Sequence, residues 1–422
     1  MAVGLLVAGL SATAQSRVDT FLYTEAPRFE PRAALTSQER FLAGARVMLF
    51  SRGAARPLVP SFAATADAAV SFEATRVLFA GKRQAGDAWS VWEMPIAGGE
   101  PKRISTGDSD CILPFYVPRQ KALYACKAAD GYQIEISDLD GRGRERLTYG
   151  PGNHLPAGVL RDGRVMFTAP HPALGSEIYT VYSDGTGVET IRCDHTADRY
   201  TPAQVASGDI VFVSNGKLGR FTSARAVQMD VTQAPGEYLG PVGEVAPGEW
   251  LVSYRSGPPA PFGLYRVGSA PVPVIPRDAY QPVRVAPRPP PPFHPSSRGD
   301  HDGANLLCLS VYTTRDAPIE TGRVAKVRLR SLDGAGAPVV LGEAPVESDG
   351  SFYVHTPSDR PLRFELLDAA GKTVREEKGW FWTRRGEQRV CVGCHAGPER
   401  APDNAVPQIL LRTQTPAPMG GK

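Results

Sequence analysis

A short apolar strand recurs along the first two-thirds of this 422-residue chain. It reads Val77-Leu78-Phe79-Ala80, Ala122-Leu123-Tyr124-Ala125, Val165-Met166-Phe167-Thr168, Ile210-Val211-Phe212-Val213 and Trp250-Leu251-Val252-Ser253. Phe79, Tyr124, Phe167 and Phe212 are spaced 45, 43 and 45 residues apart, and Val252 follows 40 residues later. Each strand precedes a polar loop and a second strand, as in Trp89 to Pro95 or Glu177 to Ser183. Most units then close with a glycine turn and a short final strand. A period of about 40 to 45 residues holding several short strands is a β-propeller signal. One such unit cannot bury both its faces, whereas radial stacking buries them and protects their edges. Five units are visible, and Val47 to Phe50 resembles the recurring strand. The expected fold is therefore all-β and six-bladed, with the N-terminal segment completing one blade. An array of β-sandwiches is the alternative.

Composition agrees. The 39 prolines and 43 glycines favour turns and short strands over long helices. A hydrophobic content of 42% supports real cores. The net charge of +3 argues against a nucleic-acid partner or a polybasic membrane patch. Met1 to Gln15 holds an apolar run, Val3 to Leu10, ending in Ala12-Thr13-Ala14, an A-x-A cleavage pattern. Residues 1–15 are thus expected to be a signal peptide, and the protein periplasmic or secreted. No later stretch has 18 apolar residues, so no integral membrane segment is expected. Cys111 and Cys126 flank a hairpin near Pro118-Arg119. A four-residue turn at Val117 to Gln120 would bring them face to face for a disulfide, and a turn one residue longer or shorter would not.

The propeller is expected over residues 16–281. Residues 282–299 contain four consecutive prolines, Pro289 to Pro292, and read as a semi-rigid strut. Strands then recur to Glu377, with turns at Asp333-Gly334, Asp349-Gly350 and Ala370-Gly371. Residues 300–400 read as a small antiparallel β-sandwich, and 401–422 as a disordered tail.

At the end of the sandwich stands Cys391-Val392-Gly393-Cys394-His395. C-x-x-C-H is the attachment signature of a c-type haem. Two thiols on a short turn add to the porphyrin's vinyl groups, and the adjacent imidazole becomes the proximal iron ligand. A zinc site would need a second pair of ligands, and a thioredoxin-like pair a βαβ context; the sequence has neither here. One covalent haem c is expected, with Cys391, Cys394 and His395 as its attachment residues and His395 on the iron. Export suits it, since such haem is attached outside the bacterial cytoplasm.

The sixth ligand is open. His301, in Asp300-His301-Asp302-Gly303, and His355, at the end of the strand Ser351 to His355, are equal first choices. Met419 in the tail, His294 in the strut, or an open position are the alternatives. Trp380 and Trp382 share one face of a strand before the motif and are expected to stack on the porphyrin edge or to fill the domain core. Arg384, Arg385, Arg389 and Arg400 surround the motif as propionate partners or as a solvated rim. His154, His171 and His195 lie in separate blade loops and read as solvated. The haem pocket is expected to lie within residues 300–400.

The glycine turn followed by R-L-T or R-I-S resembles the TolB-like propeller repeat. Asp349-Gly350-Ser351-Phe352-Tyr353-Val354, Pro357, Pro361-Leu362-Arg363-Phe364, Leu367-Asp368, Gly371, Trp380 and Gly386-Glu387 before the C-x-x-C-H run resemble the hydrazine synthase alpha-subunit family. The resemblance covers about residues 285 to 400. It implies a propeller joined to a domain with covalent haem, and a haem that passes electrons. Cys391 and Cys394 carry over as thioether sites and His395 as an axial ligand. The family's catalytic subunit has a second haem in an N-terminal domain, whereas this sequence has no second C-x-x-C-H. The resemblance therefore implies an exported monohaem cytochrome-like protein with an unknown redox partner, its propeller docking that partner. A haem enzyme acting on a small nitrogen or oxygen species, or a non-catalytic envelope scaffold, are the competing functions.

Overall fold

The computed structural model describes residues 20–41, 44–171, 173–192, 196–223, 225–294, 298–314, 317–393 and 405–420. The expected signal peptide, Cys193, His195, Cys394, His395 and Arg400 lie outside them.

Six four-stranded antiparallel sheets form the propeller. Blade 1 contains Phe21–Glu25, Arg46–Ser51 and Ala54–Pro57, and Ala279–Arg284 supplies its innermost strand. Blades 2 to 6 begin at Ala64, Cys111, Leu155, Tyr200 and Glu237. The ring is thus closed by pairing the two ends of the domain, which leaves no blade incomplete. The expected blade count holds, with one difference in detail. Arg46–Ser51 is the third strand of its blade, and Phe21–Glu25 occupies the place of the recurring apolar strand. The closing strand also extends to Arg284, three residues beyond the expected domain end.

The recurring strands are apolar on both faces because neighbouring blades cover both. Val77, Leu78, Phe79 and Ala80 are fully buried, as are Ala122, Leu123 and Ala125. The outermost strands are short and carry charges, for example Lys102–Arg103 and Glu145–Arg146. Such edges do not invite pairing with another chain. Each innermost strand shifts register, once in five blades and twice in blade 6, and five of the six carry a proline at a shift: Pro114, Pro156, Pro202, Pro241 and Pro282. Proline lacks the N–H that an uninterrupted ladder would need, so a bulge is where it fits.

These bulges surround an axial cavity of about 770 Å³. Arg40 and Asp67 lie on its wall as a buried bidentate ion pair, at 2.9 and 2.6 Å. Gln281 donates to Asp67 from the closing strand at 2.8 Å, and Leu113 donates its N–H at 3.1 Å. Burial alone would raise the Asp67 carboxyl, but Arg40 and these hydrogen bonds outweigh it and hold it below the usual range.

Cys111 and Cys126 form a disulfide between directly opposed residues. The turn is shorter than expected, since Val117 already pairs with Lys121, and the bulge between Ile112 and Phe115 restores the register.

The second domain is a sandwich of two four-stranded sheets. One has the order 388–393, 304–310, 352–356, 417–418; the other 338–345, 326–332, 362–367, 373–376. Leu306, Val327, Leu329, Val354 and Leu362 fill the space between them. Two expectations are corrected here. The first sheet is mixed, because the motif strand Gln388–Gly393 runs parallel to Ala304–Ser310. Residues 405–420 are ordered: Gln408–Arg412 is a short helix, Ala417–Pro418 pairs with the first sheet, and Ile409 and Met419 are buried. The apolar side chains Ile409 and Met419 explain why this tail packs. The strut packs against the propeller. Arg288 donates to the carbonyls of Ser71 and Val70, Arg119 covers the Phe293 ring, and His294 stacks on Tyr182. Its prolines line one end of the axial cavity.

Among the described residues no helix is long and apolar enough to cross a membrane.

Candidate functional site

The segment before the motif strand fastens the two domains together. Residues 380–382 do not form the expected strand; Phe381 makes an isolated bridge with Leu362. Trp382 leaves the sandwich and plugs into blades 3 and 4, where it is 1% exposed. Its indole N–H donates to the Gly185 carbonyl at 3.0 Å, and its ring meets His154 edge-on at 5.6 Å. Arg384 is also buried. It donates to the carbonyls of Arg146 and Asp184 and pairs with Glu145 and Asp359 at 2.9 and 2.8 Å. The Glu387 carboxylate accepts the N–H groups of Gly187 and Arg384 at 3.0 and 2.8 Å. Burial raises its pKa above the usual carboxylate range. Gly185 makes room for this clasp: it has a φ of +83°, and a Cβ there would stand 2.3 Å from the Arg384 guanidinium.

Beside this clasp lies a second cavity, of about 930 Å³, between the sandwich and blades 4 and 5. The sandwich contributes Leu306, Cys308, Phe352, Phe364, Trp380, Phe381 and the strand from Arg389 to Gly393. The propeller contributes Tyr179, Tyr182, Thr190, Ile191, Ile210 and Phe221, with Arg161 and Arg164 at the wall. A mostly apolar chamber with a few polar groups is the ordinary form of a cofactor site. Cys391 is partly buried at its edge. Burial pushes the Cys391 thiol up, and the adjacent Arg389 guanidinium offsets only part of that. Gly393 must be small, because a Cβ would fall 2.1 Å from the Thr313 carbonyl oxygen.

The expected site residues divide. Cys391 and Trp380 line the cavity; Cys394 and His395 lie outside the described residues. Trp382 is a domain fastener and does not line it. Arg384 and Arg389 are held by propeller carbonyls, not in a solvated rim, whereas Arg385 is exposed beside Asp302. His301 and His355 lie together, ring centres 6.0 Å apart, bonded to Gln388 and Asn305. They stand on the outer face of the first sheet. Phe352 and Val354 alternate with His355 and point inward, as does Cys308, the register partner of Cys391. Strand alternation therefore puts the His355 imidazole across the sheet from the Cys391 thiol, and the His301 ring lies beside it. Met419 is buried in the sandwich core and does not line the cavity. The cavity is also not confined to residues 300–400, since the propeller forms one wall. His154 and His171 are buried instead of solvated. His154 bonds Gln133 at 3.0 Å, and burial lowers its pKa to about 3.

The bulge prolines and the clasp were missed in the sequence. Pro114, Pro156, Pro202, Pro241 and Pro282 recur with nearly the blade period, which would have located the axial cavity. Tryptophan and arginine so close to the attachment motif drew attention to the haem and away from a domain interface.

Residues 331–396 match the family model described as hydrazine synthase alpha subunit middle domain. Over 61 residues the chain is 38% identical to hydrazine synthase subunit alpha of Kuenenia stuttgartiensis, a stretch covering 14% of this chain and 8% of that subunit. The Kuenenia stuttgartiensis hydrazine synthase structure superposes with a TM-score of 0.79 over 93% of this chain and 71% of that one, at 18% identity. Residues 331–396 are thus similar to the middle domain of the hydrazine synthase alpha subunit, and the chain shares the fold of that enzyme's structure. TolB from Acinetobacter baumannii resembles this chain over 64% of the chain's length, covering 67% of that protein, with a TM-score of 0.50 and 12% identity. These two structural likenesses concern fold. The segment matched by the family model includes the interface residues Trp382, Arg384 and Glu387 and continues into the C-x-x-C-H run.

Proposed function

We propose that this chain is an exported electron-transfer protein carrying one covalent haem c in the cavity between propeller and sandwich. The observation that carries the reading is the position of Cys391, the first cysteine of a C-x-x-C-H run, on the wall of a large apolar chamber. Cys391 and Cys394 would hold the haem and His395 would bind its iron. Bound there, the haem supplies a one-electron redox centre. The chain's own residues supply the surroundings. Phe352, Phe364, Phe381 and Trp380 exclude water from the sandwich side, and Tyr179, Ile210 and Phe221 from the propeller side. Low dielectric and limited solvent access are levers on a haem potential. The Cys111–Cys126 disulfide supports an oxidising compartment and hence export. The partner in electron exchange is another redox protein.

Protein matured with a cytochrome c assembly system tests this. The expected result is haem that survives denaturation and a low-spin reduced-minus-oxidised spectrum. A high-spin spectrum that shifts with carbon monoxide or nitric oxide would replace electron transfer with small-molecule chemistry. Absence of covalent haem would remove both.

A further inference from the structure

Arg389 and Cys391 alternate with the exposed Val390 on the motif strand, so both side chains turn to the same face, toward the interdomain cavity that they line. The Arg389 guanidinium is partly buried there, over the Phe381 ring at 5.6 Å and within reach of the Cys391 sulfur. Its hydrogen bonds go to the carbonyls of Val188 and Trp382, which are neutral acceptors. The nearby carboxylates are engaged elsewhere: Glu189 pairs with Arg164, and Glu387 accepts two backbone N–H groups. Arg164, by contrast, is offset by both Asp162 and Glu189. Among the described residues the cavity wall carries four guanidiniums against three carboxylates, which leaves it net positive. Arg389 is the guanidinium among them that stands on the motif strand.

We propose that the Arg389 guanidinium acts as a fixed charge that raises the reduction potential of a haem held at Cys391. This rests on the haem reading above. In the redox step the partner protein gives up one electron and ferric iron becomes ferrous; no bond forms or breaks. The net charge at the centre falls by one, so a neighbouring cation favours the reduced form. The chamber is mostly apolar, and charges interact more strongly where the effective dielectric is low. Surrounding polarity and burial are general levers on a haem potential. Carbonyl partners hold the Arg389 guanidinium in place without cancelling its charge.

Potentiometric titration of matured full-length protein, followed in the visible spectrum, provides the test. Arg389→Met is expected to make the equilibrium constant for reduction about tenfold smaller, which is a fall of about 59 mV for one electron. Arg389→Gln keeps a donor for the Val188 carbonyl but not the charge, and should fall by the same amount. Arg389→Lys keeps the charge and should stay near the wild-type potential. Arg385→Met removes an exposed charge that pairs with Asp302, and should leave the potential unchanged. A merely structural role for Arg389 would instead leave Arg389→Gln at the wild-type value. That outcome, or a fall in Arg389→Lys equal to that in Arg389→Met, would overturn the proposal while covalent haem stands. Matured wild type without covalent haem would overturn the haem reading, and this inference with it.

Discussion

Arg40 and Asp67 meet at the propeller axis with side chains 5% and 1% exposed. Two charges out of water are tolerable there because Gln281 and Leu113 satisfy the remaining carboxylate positions. Removing one partner strands the other, which typically costs about 3–5 kcal/mol. Arg40→Met should therefore lower unfolding stability by about that amount in chemical denaturation, well beyond the loss from an exposed arginine such as Arg142. His154 makes a second residue-scale prediction. It stays neutral in the fold down to about pH 3 but protonates near pH 6.5 once unfolded. Between those values the unfolded state binds more protons, so stability falls as pH drops, by up to about 1.4 kcal/mol per pH unit. His154→Gln should remove that increment, and melting curves of both proteins from pH 7 to 4 should converge at the acid end relative to their difference at neutral pH. His301 and His355 face away from Cys391. Either alanine substitution should leave the spin state of the matured protein unchanged in visible spectroscopy.

Elements show where the sequence was readable and where it was not. The second strand of blades 2 to 6 was legible because burial on both faces demands an unbroken apolar run, and the period repeats that demand. The first strand of blade 1 was not, because Ala279–Arg284 finds its partner Phe21–Glu25 across more than 250 residues of chain, and no local pattern encodes that closure. The tail was read as disordered from its prolines, yet two apolar side chains, Ile409 and Met419, are enough to seat it on the sandwich. Cys391 was legible as a motif residue, while its cavity was not, because one wall comes from another domain. The clasp segment 380–387 is the element that joins these domains. Truncation of a large buried aromatic typically costs about 3–5 kcal/mol. Trp382→Ala should expose the strut to limited proteolysis between residues 286 and 294 and lower the melting temperature, whereas Trp380→Ala should do neither.

At the scale of the whole molecule, the propeller and the sandwich share one chamber. The propeller supplies one of its walls, and the motif strand lines another. The most direct measurement is the quantity and spectrum of covalent haem on the matured full-length chain, compared with a variant that fills the propeller wall, Ala226→Trp, at a buried alanine that lines the chamber. The account predicts one haem per chain that is lost on Cys391→Ala and Cys394→Ala, with a Soret band shifted by Ala226→Trp, a substitution more than 160 residues from the motif. A matured chain without covalent haem, or a haem whose spectrum ignores the propeller wall, would contradict it.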